Sequence, residues 1–175
     1  MKVKGRDGAR ISADRLLLLE DFLHYFAFRD LTFAFELKTR GIAEDVLQLL
    51  TRYQVKEKSF ITSFHPEDLK AARASDGKIR LGWLTRTFDA KCLAFIKEYG
   101  INQLCLPGSS LTKDLVDAIQ AQGISVRAWA VGSPEIMKQV LESGARGGMT
   151  IDYPDVLKQY LDKTEAKASG LLREI

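Results

Sequence analysis

Short apolar runs rich in β-branched and aromatic residues alternate along this chain with longer segments of helical period. This alternation is typical of repeated strand–helix units around a parallel sheet. From Leu31 onward we count six such units. The predicted strands are Thr32–Lys38, Ser59–Phe64, Ile79–Thr85, Asn102–Leu106, Ile124–Val131 and Gly148–Ile151. The pattern therefore predicts an α/β fold built from six parallel strand–helix units.

Residues at the predicted helix ends support this division. Three of the segments with helical period end in a glycine just before a predicted strand, at Gly100, Gly123 and Gly144. Glycine readily takes the left-handed conformation that ends many helices. Thr112 and Ser133 stand where helices should begin, and their hydroxyls suit the capping of free backbone N–H groups. An amphipathic helix precedes the first strand, with an apolar stripe of Leu16, Leu19, Leu23 and Phe26.

Composition narrows the function classes. The 175 residues are 46% hydrophobic and 28% charged, so we predict a single domain over residues 1–175, with 162–175 as a frayed tail or an extension of the last helix. A net charge of +3 gives no reason to expect a nucleic-acid partner. No apolar stretch approaches the roughly 20 residues of a membrane span, and the N-terminus lacks a signal-peptide core, so we expect a cytoplasmic protein. Cys92 and Cys105 are expected to be buried free thiols.

The strongest candidate chemistry lies at the end of the first predicted strand. Alternate side chains of a strand share a face, so Glu36 and Lys38 project to the same side. Both lie at the C-terminal end of the strand, where α/β sheets and barrels place ligand sites. A glutamate can bind a hard divalent cation, and a lysine can meet a phosphate oxygen. A structural ion pair between the two is an equal alternative.

Four other features carry weaker signals. His65 precedes a proline at a predicted helix start, so we interpret it as a helix-start residue rather than a catalyst. His24 lies on the early amphipathic helix without a triad arrangement, and we expect a half-buried structural role. Trp129 could line a pocket at the same rim as Glu36 or pack in the core. The loop Pro107–Ser110 could offer backbone N–H groups to an anion, although it matches no phosphate-binding motif.

A resemblance to a known family rests on five segments, which are in order FAFELK, FITSFHPEDL, IRLGWL, GISVRAWAV and SGARGGMTIDYPDVL. Together they resemble the glycerophosphodiester phosphodiesterase family over about residues 16–161. Members of this family are TIM barrels that hydrolyse glycerophosphodiesters to glycerol phosphate and an alcohol, in lipid metabolism. They use a divalent cation, Ca²⁺ or Mg²⁺, at the C-terminal rim of the barrel. The resemblance therefore implies a metal-dependent hydrolase acting on a small-molecule phosphodiester.

Individual residues take roles from this resemblance. It implies that Glu36 is a metal ligand, that Lys38 contacts phosphate and that Trp129 belongs to the substrate pocket. Ala130 follows this tryptophan where the family usually has threonine. The closing Thr-Asp pair of the family appears here with one residue inserted, in the segment Thr150–Asp152. The resemblance assigns no catalytic acid or base to this chain.

The opening motifs of the family do not occur before Glu36: a His-Arg-Gly strand, a Glu-x-Asp strand and a second His followed by Asp. The chain is thus expected to be an incomplete TIM barrel, strands three to eight of a fold that typically needs about 250 residues. We expect the C-terminal part of a phosphodiesterase, inactive alone because the histidine motifs are missing.

Two other hypotheses remain open from the sequence. One is a noncatalytic barrel-like module that binds phosphate or serves assembly, and the other is an unrelated α/β domain with an open sheet. Whichever function holds, six strands without their two missing neighbours leave unpaired backbone edges. The sequence therefore also predicts self-association through those open edges.

Overall fold

The computed structural model describes residues 2–4, 10–12 and 17–168. A short antiparallel hairpin, β1 (Lys2–Lys4) and β2 (Arg10–Ser12), precedes six parallel strands that form one sheet in chain order. The parallel strands are β3 (Phe33–Glu36), β4 (Ser59–Ser63), β5 (Arg80–Leu84), β6 (Gln103–Pro107), β7 (Ser125–Val131) and β8 (Met149–Ile151). All six predicted strands are confirmed, with small changes at their ends.

A helix follows each parallel strand, and one more precedes the first. The helices are α1 (Leu19–Phe26), α2 (Ala43–Arg52), α3 (Pro66–Ser75), α4 (Ala90–Tyr99), α5 (Lys113–Gln120), α6 (Pro134–Glu142) and α7 (Pro154–Ala168), with short 3₁₀ turns at Lys56–Lys58 and Gly108–Ser110. Within the described part of the chain, no helix is both long and apolar enough to cross a membrane. Helix α7 enters the predicted tail, whose last residues, 169–175, lie outside the described residues.

The predicted helix signals act as expected. Gly100 ends α4 in the left-handed conformation, with φ of 60°. Thr112 Oγ1 accepts a hydrogen bond from the backbone N–H of Leu115, and Ser133 Oγ accepts one from Ile136, each at 3.3 Å. These caps fix where α5 and α6 begin and therefore where the preceding strands must end.

The sheet is curled, with helices on its outer face. Side chains pointing outward from the strands lie buried beneath the helices and form the core, among them Phe33, Ile61, Leu81, Leu104 and Val126. The opposite, concave face corresponds to the interior of a barrel. Six strands in sequential parallel order with outer helices form an incomplete TIM barrel, as predicted.

Helix α1 docks on the first strand of the sheet. Leu23 is fully buried, and the ring of Phe22 packs edge-on against Phe33 at 6.0 Å between centroids. The predicted stripe is therefore correct at Leu23 but wrong at Phe26, which is 40% exposed because Phe22 takes the contact with the strand. Leu16 lies outside the described residues. His24 is exposed rather than half-buried, since it lies on the side of α1 away from the sheet.

The two ends of the parallel sheet are open. Among the described strands β3 pairs only with β4 and β8 only with β7, while β1 and β2 pair with each other. The segment that leads into β3 also exposes a group of large apolar side chains: Leu17, Leu18, Tyr25, Phe26, Phe28 and Leu31. An unpaired strand edge therefore adjoins, along the chain, an exposed apolar surface.

A buried hydrogen-bond network fixes the end of β3 against β4. The hydroxyl of Ser63 lies 3.0 Å from the carbonyl oxygen of Leu37 and 3.1 Å from Oδ2 of Asp68, with its proton available to either acceptor. The backbone N–H of His65 donates to the same hydroxyl at 3.1 Å. Ser63 and Asp68 are both buried, so these bonds form away from solvent. The network holds Leu37, and with it the flanking Glu36 and Lys38, in a fixed relation to the start of α3.

We expect the substitution Ser63→Ala to lower the free energy of unfolding by about 1–3 kcal/mol, because it leaves buried polar groups without their partner. Urea unfolding followed by far-ultraviolet circular dichroism measures this change. Ser109→Ala, at an exposed serine of a rim loop, is the matched control and should change stability by less than about 0.5 kcal/mol. Equal stability of both variants would mean that the network does not fix the strand end.

Candidate functional site

One cavity lies on the concave face and receives a side chain from every strand of the sheet. Its volume is about 210 Å³, and its lining residues are Ala34, Glu36, Thr62, Leu84, Cys105, Arg127 and Thr150. The register places Glu36 beside Thr62 and Cys105 beside Arg127. Because β3 and β8 both contribute, the curl of the sheet brings its two open ends around the same cavity.

A small residue keeps this space open. Gly82 lies on the concave face of β5, next to Thr62 of β4. A Cβ atom at Gly82 would lie 2.9 Å from the Thr62 methyl group and 3.4 Å from the Cys105 sulfur. A larger residue there would push into the floor of the cavity.

Glu36 and Lys38 lie together at the cavity mouth. Glu36 ends β3 and lines the cavity, and its side chain is 36% exposed. The ammonium of Lys38 lies 3.8 Å from Oε2 of Glu36, while the Lys38 side chain is 77% exposed. Both alternatives for this pair are thus represented: the two side chains form an ion pair, and they do so at a cavity. An ion pair this exposed adds little stability, so both charges are available to a ligand.

Arg127 and Cys105 are neighbours on adjacent strands, and both line the cavity. Burial is the main reason that the pKa of the Cys105 thiol is raised to about 12, with the nearby positive charge of Arg127 opposing the shift and the negative charge of Glu36 adding to it. Cys105 is therefore a neutral thiol at physiological pH and is no candidate nucleophile. Both charged groups act on this sulfur, so the two ends of the cavity carry opposite charges.

Trp129 forms part of an aromatic group at the rim. Its indole Nε1 donates to the carbonyl oxygen of Cys105 at 3.1 Å. The ring packs edge-on against Phe64 at 5.3 Å between centroids, and the guanidinium carbon of Arg86 lies 5.2 Å from its centroid. Trp129 therefore extends from β7 across the strand ends rather than into the core between sheet and helices.

An irregularity in β7 helps to orient this tryptophan. The pairing of β7 with β8 shifts register between Ala128 and Val131, and Ala130 within this bulge has φ of 53°. A left-handed alanine costs about 1 kcal/mol, and such strain is often found beside functional sites. The sequence could not reveal the bulge, because alanine carries no preference for that conformation.

The loop Pro107–Ser110 has a packing role. A Cβ at Gly108 would lie 2.8 Å from a methyl group of Ile136 in α6, so only glycine allows this approach. The Ser110 hydroxyl donates to the Pro107 carbonyl at 2.8 Å, and the amide of Gln139 donates to the Ser109 carbonyl at 3.2 Å. These contacts account for the glycine and the serine without any anion.

Neither histidine lines the cavity. Exposed His24 lies on α1 beside Tyr25. His65 immediately precedes α3, with its Nδ1 3.4 Å from Nη2 of Arg40, which agrees with its interpretation as a helix-start residue. Asp152 directly follows β8, whereas its neighbour Thr150 reaches the cavity.

Comparison with known proteins identifies the family. The sequence model of the glycerophosphoryl diester phosphodiesterase family matches residues 26–156. This range includes the lining residues of the cavity, together with Lys38 and Trp129. This chain belongs to that family. The expectation based on the five sequence segments is thereby confirmed.

A curated protein is also similar to this chain. That curated protein is the uncharacterized protein YqiK of Bacillus subtilis (strain 168), with 28% identity over 165 residues. The match covers 89% of this chain and 62% of the relative. The chain therefore spans less than two thirds of the length of YqiK.

Solved structures agree on the fold of this phosphodiesterase family member. A putative glycerophosphodiester phosphodiesterase from Galdieria sulphuraria matches with a TM-score of 0.73 and 23% identity, over 82% of this chain and 62% of that one. A glycerophosphodiester phosphodiesterase from Parabacteroides distasonis matches with a TM-score of 0.73 and 19% identity, over 93% and 69%.

An Oleispira antarctica phosphodiesterase in complex with the product sn-glycerol-3-phosphate also matches, with a TM-score of 0.61 and 19% identity, over 73% of this chain and 53% of that one. At these identities the three likenesses establish the fold that this chain shares with them.

The described residues of this chain do not by themselves fit a divalent cation. Within its described residues, no group of three or more His, Cys, Asp or Glu side chains could hold a metal ion. Glu36 is the one carboxylate among the described residues that line the cavity, whereas calcium and magnesium usually take about six oxygen ligands or more. Lys38 at 3.8 Å would also repel a cation held by Glu36 unless further carboxylates compensated.

The sequence pattern did not lead us to select Arg127, which lines the cavity. A signal was available, because Arg127 lies two residues before Trp129 in β7 and so shares its face. Ala34, Thr62 and Thr150 gave no comparable signal, since small polar and apolar residues occur on any strand face. Their part in the cavity follows from the curl of the sheet.

Proposed function

We propose that this chain contributes the phosphate-binding part of a glycerophosphodiester phosphodiesterase site. In the complete enzyme a glycerophosphodiester is hydrolysed to glycerol phosphate and an alcohol. The observation that carries this proposal is the concave cavity that Glu36 lines, with Lys38 at its mouth, inside the region matched by the family. The glycerol phosphate found with the Oleispira antarctica neighbour is consistent with this substrate class.

Lys38 is proposed as a phosphate contact. Its ammonium is largely exposed and held near Glu36, so it can turn toward an anion at low cost in side-chain entropy. As a point charge it would partly neutralise a phosphoryl group at the cavity mouth. Trp129 is proposed to line the substrate pocket with its indole ring, which Phe64 and Arg86 support from two sides.

A divalent cation, Ca²⁺ or Mg²⁺, remains part of the proposal for the complete enzyme, with Glu36 as one ligand. The described residues do not complete a coordination shell, so the remaining ligands would come from polypeptide that closes the barrel. When bound, such a cation would offset charge on the phosphoryl oxygens. The chain itself would bind and orient the phosphate.

The chain alone is proposed to lack diesterase activity. Cleavage of the ester bond leaves an alkoxide that needs a proton, and a histidine is the usual donor near neutral pH. Neither His24 nor His65 lines the cavity. The same observation favours a second candidate function, a noncatalytic phosphate-binding module that retains Lys38 and Trp129.

Self-association is proposed through the open end at β3, with a second copy of the chain as the occupant. The β3 edge offers unpaired backbone groups, and the adjoining apolar surface includes Phe28, which is 71% exposed. Pairing of such edges between identical chains satisfies their backbone hydrogen bonds and removes the apolar side chains from water.

Binding of sn-glycerol 3-phosphate tests the proposed site. The chain has two tryptophans, and Trp83 packs against Phe95 of α4, so a Trp83→Phe background makes the fluorescence report on Trp129. We expect saturable quenching or enhancement, and a dissociation constant about 5–20-fold higher in Lys38→Ala because a charged contact is lost. Lys97→Ala, at an exposed lysine of α4, is the matched control and should bind like the parent protein.

An unchanged dissociation constant in Lys38→Ala would remove Lys38 from the site. Absence of saturable binding in the parent protein would contradict the proposed function itself.

Association of the chain should depend on concentration and on the exposed apolar surface. Light scattering across a dilution series is expected to give a weight-average mass above the 19.6 kDa monomer that falls on dilution. Phe28→Glu should shift the series toward the monomer, because it places a charge on the surface to be buried. Leu161→Glu, at an exposed apolar residue of α7, is the control and should leave association unchanged. A monomer at every concentration would contradict the proposal.

A further inference from the structure

Arg127 differs from the other half-buried arginines of the described chain. Arg73 donates hydrogen bonds to backbone carbonyl groups in two loops, including those of Tyr99 and Gly100 at 3.0 Å each. Arg80 donates to the carbonyl of Glu57 at 2.8 Å and lies 4.3 Å from the Phe60 ring centroid. Both of these side chains therefore bind backbone carbonyl groups of neighbouring loops, although the buried Nε of Arg80 has no hydrogen-bond partner among the described residues.

Among the described residues, the guanidinium of Arg127 has one side-chain hydrogen-bond partner. Its Nη2 donates to the hydroxyl of Thr150 at 3.3 Å, and no carboxylate among the described residues forms an ion pair with it. A guanidinium offers five N–H donors in a planar fork. Most of that capacity is unused, although the side chain is half-buried and lines the cavity. Partial burial of a charge without a partner is unfavourable, so a ligand that pairs with it is stabilised.

The remainder of the cavity limits what that ligand is. Glu36, at the other side, repels a second anionic group and accepts hydrogen bonds from hydroxyl groups. Lys38 at the mouth adds a second positive charge on the route into the cavity. A volume of about 210 Å³ admits a compact molecule. One end should be a phosphoryl group and the other should carry hydroxyl groups, as in a phosphate ester of a small polyol.

We propose that Arg127 is a second phosphate-binding residue. Its guanidinium would donate hydrogen bonds to the phosphoryl oxygens inside the cavity, while the ammonium of Lys38 contacts them at the rim. This inference rests on the proposed function and adds a residue that the sequence analysis did not select. A planar fork can bind two oxygens of one phosphoryl group, which a lysine cannot do. Arg127 therefore favours a ligand with at least two free phosphoryl oxygens, which a phosphodiester and a phosphate monoester both present.

Substitution of Arg127 tests the inference in the Trp83→Phe background. Titrations use sn-glycerol 3-phosphate, inorganic phosphate and uncharged glycerol with the full chain. We expect Arg127→Met to raise the dissociation constant for both phosphate ligands about tenfold or more, and Arg127→Lys to recover only part of the affinity because it lacks the fork. Arg146→Met, at an exposed arginine that does not line the cavity, is the matched control and should change affinity by less than about twofold.

A labelling experiment locates the contact at the residue. Phenylglyoxal modifies accessible guanidinium groups, and peptide mass spectrometry reports the extent at Arg127. Saturating sn-glycerol 3-phosphate should slow modification of Arg127 while leaving that of exposed Arg146 unchanged. Circular dichroism of each variant verifies that it is folded.

The outcomes separate this inference from the proposed function. The parent protein could bind glycerol phosphate while Arg127→Met binds it equally well and the ligand does not protect Arg127. That result would overturn the role of Arg127 and leave the proposed function standing. Parent protein that binds neither phosphate ligand would overturn both.

Discussion

Backbone hydrogen bonding between parallel strands is the constraint on which this structure depends. Each strand of a barrel must pair on both sides, and the pairing tilts and curls the sheet until it closes. Here six strands in sequential order curl far enough that β3 and β8 line one cavity, yet their outer edges have no partner among the described residues. The cavity and the open edges are thus two consequences of the same curvature.

Charge is arranged across this cavity in a way that matches a phosphate ester. Glu36 on β3 and Arg127 on β7 act from different strands on the same sulfur atom, that of Cys105, while Lys38 stands at the mouth. The cation expected from the family would need carboxylates that these residues do not supply. These residues therefore support the proposal that the chain binds a phosphoryl group, whereas no histidine among the described residues lines the cavity to protonate a leaving group.

Local sequence signals were sufficient for the element pattern. Capping residues such as Thr112 and glycines such as Gly100 specify helix ends through contacts within a few residues, so each strand could be located. Alternation within β3 likewise predicted that Glu36 and Lys38 share a face. The contacts that the sequence could not predict depend on residues far apart in the chain.

Arg127 and Thr150, and Trp129 and Phe64, are brought together by the curl of the sheet and by the bulge at Ala130. Phe26 was predicted to belong to the apolar stripe that docks on the sheet, but it is exposed for the same reason. Phe33 on β3 packs against Phe22 instead, which the sequence of α1 alone does not show.

The most direct test of the account is choline release from sn-glycero-3-phosphocholine by the purified chain with Mg²⁺ or Ca²⁺, compared between the parent protein and Glu36→Ala. The account predicts no release above the Glu36→Ala background, because the described residues supply one carboxylate and no histidine at the cavity. Release by the parent protein that disappears in Glu36→Ala would contradict it, since the cavity would then hold a complete catalytic site.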